Sequence, residues 1–365
     1  MINSRVSRDG IEVKEGDTSV LMQALILAGG EGARLRPLTI HTPKPIVPIA
    51  NRPFLFYQIE LLKRAGIKDI TLSLSYQPNK IESVFGDGEE LGLNIRYVVE
   101  ATPMGTAGAY KYAQERLNQT TVVFNGDILT DLNIAEVIAF HREKKAVATV
   151  VVAPVENPSA YGLVEAGADG RALRFVEKPE PAEINCNTIN AGVYVLEPSV
   201  LNYIPAGEKF SFEYQLFPAL LTANEQFYAY TWHGYWIDIG APQRYLQANK
   251  DLINGRLKSF DVLRAAPLLN GADAETIRID DRSVIDQSCV FKPGVEIINS
   301  VLGPNCVIEE RVRIENSVLL AGARVGKAAE IIDSVAGKSC LIGRNTKVTN
   351  ATLGDKTSLT DYTIV

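Results

Sequence analysis

The sequence predicts two architectures in series. The first is an α/β region built on a mainly parallel, Rossmann-like mixed sheet with helices on both faces; the second is a parallel β-helix. Three observations predict this. From Gln23 to about Gly255, apolar runs of strand length alternate with segments of helical spacing, the pattern of a helix-covered sheet. Beyond that, Ser283, Ser300, Ser317 and Ser334 recur every 17 residues, and Ala351 extends the series. The chain has 365 residues, too many for one ordinary core and comfortable for two. The expected division is a flexible N-terminal extension (1–22), an α/β domain (23–255), a connecting segment (256–282) and a repeat domain (283–365).

Gln23–Ala28 is an apolar strand followed by a glycine-rich turn. Phe54–Ala65 has helical spacing and stops at Gly66; Asp69–Ser75 reads as a strand. Gly108–Leu117 is expected to be helical, and Thr121–Asn125 a strand ending at Gly126-Asp127. Ile134–Lys144 is again helical. The ten-residue run Ala146–Val155 is Val-rich and too short to cross a bilayer, so it reads as a buried strand. In the repeats every serine is followed by Val, and Asn299, Asn316, Asp333 and Asn350 precede the later repeat starts. Seventeen residues are close to three six-residue sides, which makes each repeat one triangular coil. Asn and Asp tolerate the left-handed backbone that a sharp corner needs. Stacked coils are expected about 4.8 Å apart.

Composition excludes several classes. The net charge is −6 and there is no basic tail, so nucleic acid is not an expected partner; an anionic ligand needs a local cationic cluster. No apolar stretch suits a membrane, and Met1–Leu21 lacks a hydrophobic signal region, so a cytoplasmic protein is expected. The cysteines at 186, 289, 306 and 340 form no Cys-x-x-Cys pair. Cys289, Cys306 and Cys340 share one place in their repeats with Ala323 and Thr357, which fits small, buried, reduced thiols better than a metal site.

Chemistry concentrates in LILAGGEGARLRPLTIHTPKPIVPIANRP, Leu25–Pro53. Gly29, Gly30 and Gly32 let the backbone approach a phosphate and aim N–H groups at it. Arg34 and Arg36 offer planar forks and Lys44 a point charge, set between Pro43 and Pro45. The glycines alone also fit a tight strand-to-helix turn with solvated arginines, and neither a dinucleotide fingerprint nor a Walker pattern is present. The whole run resembles the signature of sugar-1-phosphate nucleotidylyltransferases, GG-x-G-x-R-L-x-P-L-T followed by P-K-P. Ala33 stands where members of that family often have Thr or Ser. The wording of EATPMGTAGA, Glu100–Ala109, and the repeat tail are closest to the mannose-1-phosphate guanylyltransferases.

The resemblance implies a left-handed β-helix at the C-terminus. It also implies transfer of a nucleotide from a nucleoside triphosphate (GTP favoured) to a sugar 1-phosphate, with release of pyrophosphate and with Mg2+ as cofactor. Arg34, Lys44, Asp127, Lys178 and Asp238 are then the catalytic candidates, with Asp127 and Asp238 as metal ligands. Leu27, Ala28, Gly29, Gly30, Gly32, Glu100, Gly105 and Thr106 are expected around the nucleotide, where Glu100 could accept hydrogen bonds from a guanine edge. Tyr161, Gly162, Glu177, Asn190 and Gly192 are expected around the sugar. The attacking phosphate oxygen is already anionic at neutral pH, so no general base is needed, in keeping with a chain whose only histidines are His41, His141 and His233. A glucose-1-phosphate thymidylyl-, uridylyl- or adenylyltransferase is the alternative within the class. A non-catalytic subunit that senses nucleotide sugar is the alternative outside it. Homo-oligomerisation is expected through the long regular side of the β-helix.

Overall fold

The computed structural model describes residues 22–262, 264 and 276–365. The N-terminal extension up to Leu21, and residues 263 and 265–275 of the connecting segment, lie outside them.

Alternating residues of the central strands enter two different cores. Ala24 and Ile26, Val122 and Phe124, and Val151 and Ala153 join one apolar cluster. Leu25, Val123, Val150 and Val152 join the other. A strand apolar on both faces must be covered on both, which sets the sheet between two layers. Four strands are all parallel, in the order Asn94–Val99, Asp69–Leu74, Gln23–Leu27, Thr121–Asn125. The nine-stranded sheet then turns mixed, because Thr188–Leu196 runs antiparallel to Thr121–Asn125, to Ala148–Pro154 and to Gly162–Ala166. Hydrophobic spacing fixes burial but not strand direction, so this half was not readable from periodicity. The register of Thr188–Leu196 shifts between Asn190 and Tyr194, a bulge that sets Gly192 against Asn125 at the end of Thr121–Asn125.

Helices Leu55–Arg64 and Ile134–Glu143 match expectation to within a residue or two at each end. The helix expected over Gly108–Leu117 instead spans Thr106–Tyr112 and gives way to a 3-10 turn at Gln114–Arg116. Its start is fixed from outside, since the amides of Ala107 and Gly108 both donate to the Phe210 carbonyl.

The C-terminal region is a triangular coil stack, with three five-stranded sheets that are parallel throughout. This is consistent with the left-handed β-helix implied by the resemblance. Its first strand, Arg278–Ile279, begins before Ser283, inside the segment expected to be a connector. Asn299, Asn316, Asp333 and Asn350 all have left-handed backbones, with φ of 45–50°. The serines after them are buried for a specific reason. Each hydroxyl accepts the backbone N–H one coil later, at 3.1 Å from Ser283 to Ser300 and onward to Ala351. The hydroxyls of Ser300, Ser317 and Ser334 also donate to the carbonyls of Ile298, Glu315 and Ile332 at 2.7 Å. Cys289, Cys306 and Cys340 are free, buried thiols in the stack. The valines after the serines point the other way: Val284, Val301, Val318 and Val335 join the α/β core and dock the β-helix against it.

Candidate active site

The loop after Gln23–Leu27 and the end of Thr121–Asn125 meet at one edge of the sheet, where carboxyl ends of parallel strands leave a crevice. A cavity of about 340 Å3 there is lined by Leu27, Ala28, Gly30, Gly32, Arg34, Lys44, Thr106, Asn125, Gly126, Asp127 and Gly240. A second lobe of about 400 Å3 shares Leu27, Gly30 and Thr106 with it and adds Gly29, Ser75, Tyr76, Glu100 and Gly105. Volumes of this order suit small-molecule ligands.

Gly32 is where the loop folds on itself. Its φ is +65°, and a Cβ there would come within 3.1 Å of Lys44 Cβ and 3.2 Å of Thr39 Cγ2. Thr39 Oγ1 donates back to the Gly32 carbonyl at 2.7 Å. Lys44 is thereby buried, and its Nζ donates to Asp127 Oδ2 at 3.1 Å. Arg34 faces the same cavity. Arg36 does not: it pairs with Glu31 at 3.3 Å, with both side chains more than half exposed.

Asp238 is brought to Asp127 by a short antiparallel pairing of Ile128–Thr130 with Trp236–Asp238, in which Asp238 opposes Ile128. The amide of Ile239 donates to the Asp127 carbonyl at 3.0 Å. A Cβ on Gly240 would lie 3.5 Å from both Asp238 Oδ2 and the Arg34 guanidinium, so Arg34 and Asp238 flank one point. Among the described residues no group of three or more His, Cys, Asp and Glu side chains is placed to hold a metal ion. A pair of carboxylates with no third protein ligand is nonetheless the donor set that suits Mg2+, which takes one or two carboxylates and completes its shell with phosphate oxygens and water.

The sugar candidates line up beside this pair. Gly162 opposes Glu177 across two antiparallel strands, and a Cβ at Gly162 would fall 2.6 Å from Glu177 Oε2. Burial first, then the Glu213 carboxylate, pushes the Glu177 carboxyl up to about 7, against the pull of Lys178. Lys178 is exposed, on a left-handed backbone with φ of 50°. Asn190 Nδ2 donates to the Tyr194 hydroxyl at 2.9 Å, and its Oδ1 accepts the Gly192 amide at 2.9 Å. The Tyr161 ring packs edge-on against Trp236, and its hydroxyl meets Arg244.

Glu100 is buried, and both of its oxygens are engaged. Oε1 accepts from Ser73 Oγ at 2.7 Å and Oε2 from the Met104 amide at 2.8 Å. It therefore holds the loop that forms the second lobe. Gly105 on that loop has φ of +75°, and a Cβ there would strike the Phe210 carbonyl oxygen at 2.6 Å.

Two residues were missed from the sequence. Arg244, on helix Pro242–Ile253, pairs with Asp238. Glu213 accepts from Thr106 Oγ1 at 2.9 Å and from Ser211 Oγ at 2.6 Å. Neither lies in a motif read from the sequence. His141 is buried between Thr149 and Glu197, away from the cleft.

Residues 23–255 match the nucleotidyl transferase family model, and residues 274–365 match the GMPPB C-terminal domain. A mannose-1-phosphate guanylyltransferase of Mycobacterium tuberculosis is 38% identical over 265 residues, covering 72% of this chain and 71% of that protein. A UTP–glucose-1-phosphate uridylyltransferase of Synechocystis is 34% identical over 305 residues, covering 78% and 79%. The crystal structure of HddC from Yersinia pseudotuberculosis superposes with a TM-score of 0.55 at 29% identity, covering 63% of this chain and 99% of that one.

Proposed function

The chain belongs to the nucleotidyl transferase family, and from that premise we propose that it joins mannose 1-phosphate to GTP, forming GDP-mannose and pyrophosphate. The observation behind this reading is the meeting of Arg34, Lys44 and Asp127 around one cavity, with Asp238 adjoining and a second lobe continuous with it. A phosphate oxygen of the sugar 1-phosphate forms a bond to the α-phosphorus, and the bond from that phosphorus to the bridging oxygen of the leaving pyrophosphate breaks. No proton has to move. The barrier lies in bringing two polyanions together in line, and the protein answers it with fixed cations and dipoles.

In this reading the amides of the Gly29–Gly32 turn and the Arg34 guanidinium cradle the triphosphate. Lys44 is held by Asp127 at the α-phosphorus side. Asp127 and Asp238 would hold Mg2+, which would supply positive charge to offset that of the phosphates. Lys178 reaches the sugar phosphate. Glu177, Asn190 and the backbone at Tyr161, Gly162 and Gly192 accept or donate to sugar hydroxyls. The base lies in the second lobe, where Glu100 acts on base choice by fixing the Pro103–Thr106 loop. Self-association of the β-helix stays part of the proposal.

A panel of GTP, UTP, dTTP and ATP against mannose and glucose 1-phosphates, followed by pyrophosphate release, tests the reading. The expected result is at least tenfold higher kcat/KM for GTP with mannose 1-phosphate. A preference for UTP with glucose 1-phosphate would move the chain to the uridylyltransferase reading, which the Synechocystis relative supports. No turnover with any pair would leave the sensing subunit.

A further inference from the structure

The proposed reaction gives no task to the β-helix, yet two of its coils touch the anion-binding loop. Lys338 Nζ donates to Thr42 Oγ1 at 3.0 Å, and Thr42 is buried two residues before Lys44. One coil on, Gly354 lies against Pro37, so close that a Cβ on Gly354 would come within 3.0 Å of Pro37 Cβ. These contacts come from one corner: the amide of Lys338 is held by Asp355 Oδ1 at 2.8 Å. Pro37 and Thr42 lie within the stretch between Arg34 and Lys44. The inner side of that stretch is tied to Gly32 through Thr39, and Lys80 Nζ holds the His41 carbonyl at 2.8 Å.

The corner itself cannot easily yield. The coil stack is fixed to the α/β region by the buried Val284–Val335 column, by Asn51 Nδ2 on the Leu302 carbonyl at 2.8 Å and by Lys250 with Asp333 at 3.2 Å. We propose that the last coils of the β-helix act as a splint for the anion-binding loop, with Lys338 and Gly354 as positioning residues for Arg34 and Lys44. The inference rests on the proposed reaction for its kinetic consequence but not for its structural one. A loop that swings by a few tenths of an ångström misplaces two cations at once, and misplacement of about 1 Å can cost about 100-fold in rate.

Two variants probe the contact from opposite sides. Lys338→Met removes the hydrogen bond and keeps the stem; Gly354→Ala pushes on Pro37 without a backbone conflict. Each is measured by backbone hydrogen exchange over residues 37–46, by thermal melting and by steady-state kinetics on the full chain. The expected outcome is faster exchange in that loop, Tm within about 3 °C of wild type, and kcat lower by roughly 3- to 10-fold with little change in KM. Lys338→Arg should restore most of the rate. Loop exchange equal to wild type in both variants overturns the splint, whatever the kinetics. A rate loss that follows Tm, or that Lys338→Arg does not rescue, also overturns it and leaves a merely structural contact. If the wild type itself turns over no substrate, the proposed reaction fails, and the exchange result still decides the splint.

Discussion

Replacing Lys44 with Met, beside the same change at Arg36, separates what the structure says from what the motif alone says. Both cations stand in the signature run, but only Lys44 faces the cavity. Its Nζ lies 3.1 Å from Asp127 Oδ2. At an effective dielectric near 20, the gross attraction at that distance is about 5 kcal/mol. Most of it is offset by the desolvation of two partly buried ions, so the pair contributes little net stability. In the proposed reaction its value is preorganisation: the ammonium is already in place when charge builds on the phosphates. Losing one such donor costs about 3–4 kcal/mol of barrier, or roughly 100- to 1000-fold in kcat. Met keeps the buried stem, so the loop should hold its shape. Arg36 is paired with Glu31 in solvent, where such pairs contribute about 0–1 kcal/mol, so Arg36→Met should change kcat by less than about threefold. The assay is pyrophosphate release with both substrates saturating, alongside a melt of each variant. If Lys44→Met keeps more than a tenth of wild-type kcat while folded, or if Arg36→Met falls as far, the assignment of the cleft is wrong.

Two further outcomes follow from the same coordinates. The folded chain holds the Glu177 proton more tightly than the unfolded one, about 7 against 4.5, chiefly through burial and then through Glu213, so that contribution to stability is complete below pH 4.5 and lost as pH rises through about 7; Glu177→Gln should flatten the fall in Tm across that window, and equal slopes for the two proteins would show that the Glu177 carboxyl is not raised. Ser317→Ala strands the buried Ser334 amide that its hydroxyl accepts, so denaturant titration should show a loss of about 1–3 kcal/mol, and a loss under about 0.5 would mean that the serine column is not a structural ladder.

What could be read from the sequence was whatever local chemistry or a strict period encodes. The 17-residue recurrence gave the coil, its left-handed corners and its buried thiols, because a stacked coil repeats the same environment and so selects the same small set of residues. The glycine-rich loop and Asp127 were legible because each directly follows an apolar strand. Other features were hidden for definite reasons. The direction of Thr188–Leu196 leaves no trace in its burial pattern. The helix at Thr106 starts where a segment about a hundred residues later supplies a carbonyl, which no local propensity reports. Arg36 and Arg34 are two residues apart with the same chemistry, and only the fold of the loop at Gly32 turns one inward and the other out. Glu100 looked like a free acceptor because its partners, Ser73 and the Met104 amide, are ordinary residues.

The balance of charge in the cleft gives Lys44 and Arg244 a carboxylate partner each. The chain is acidic overall, and its site contains Asp127, Asp238, Glu177 and Glu213 as well as Arg34, Lys44 and Arg244. Were the cations unpaired, the empty cleft would bind any phosphate strongly and gain nothing further at the transition state. Tied instead to Asp127 and Asp238, Lys44 and Arg244 are held in place at little net cost, and a phosphate has to compete with those carboxylates for them. In the proposed reaction, an arrangement of this kind makes incoming phosphates exchange places with the carboxylates. It also makes the position of the loop decisive, since a pair held at 3.1 Å loses its register with a small shift of either side. That sensitivity is the physical reason a site made of flexible glycine and long cationic side chains is backed by a rigid coil stack rather than left open to solvent.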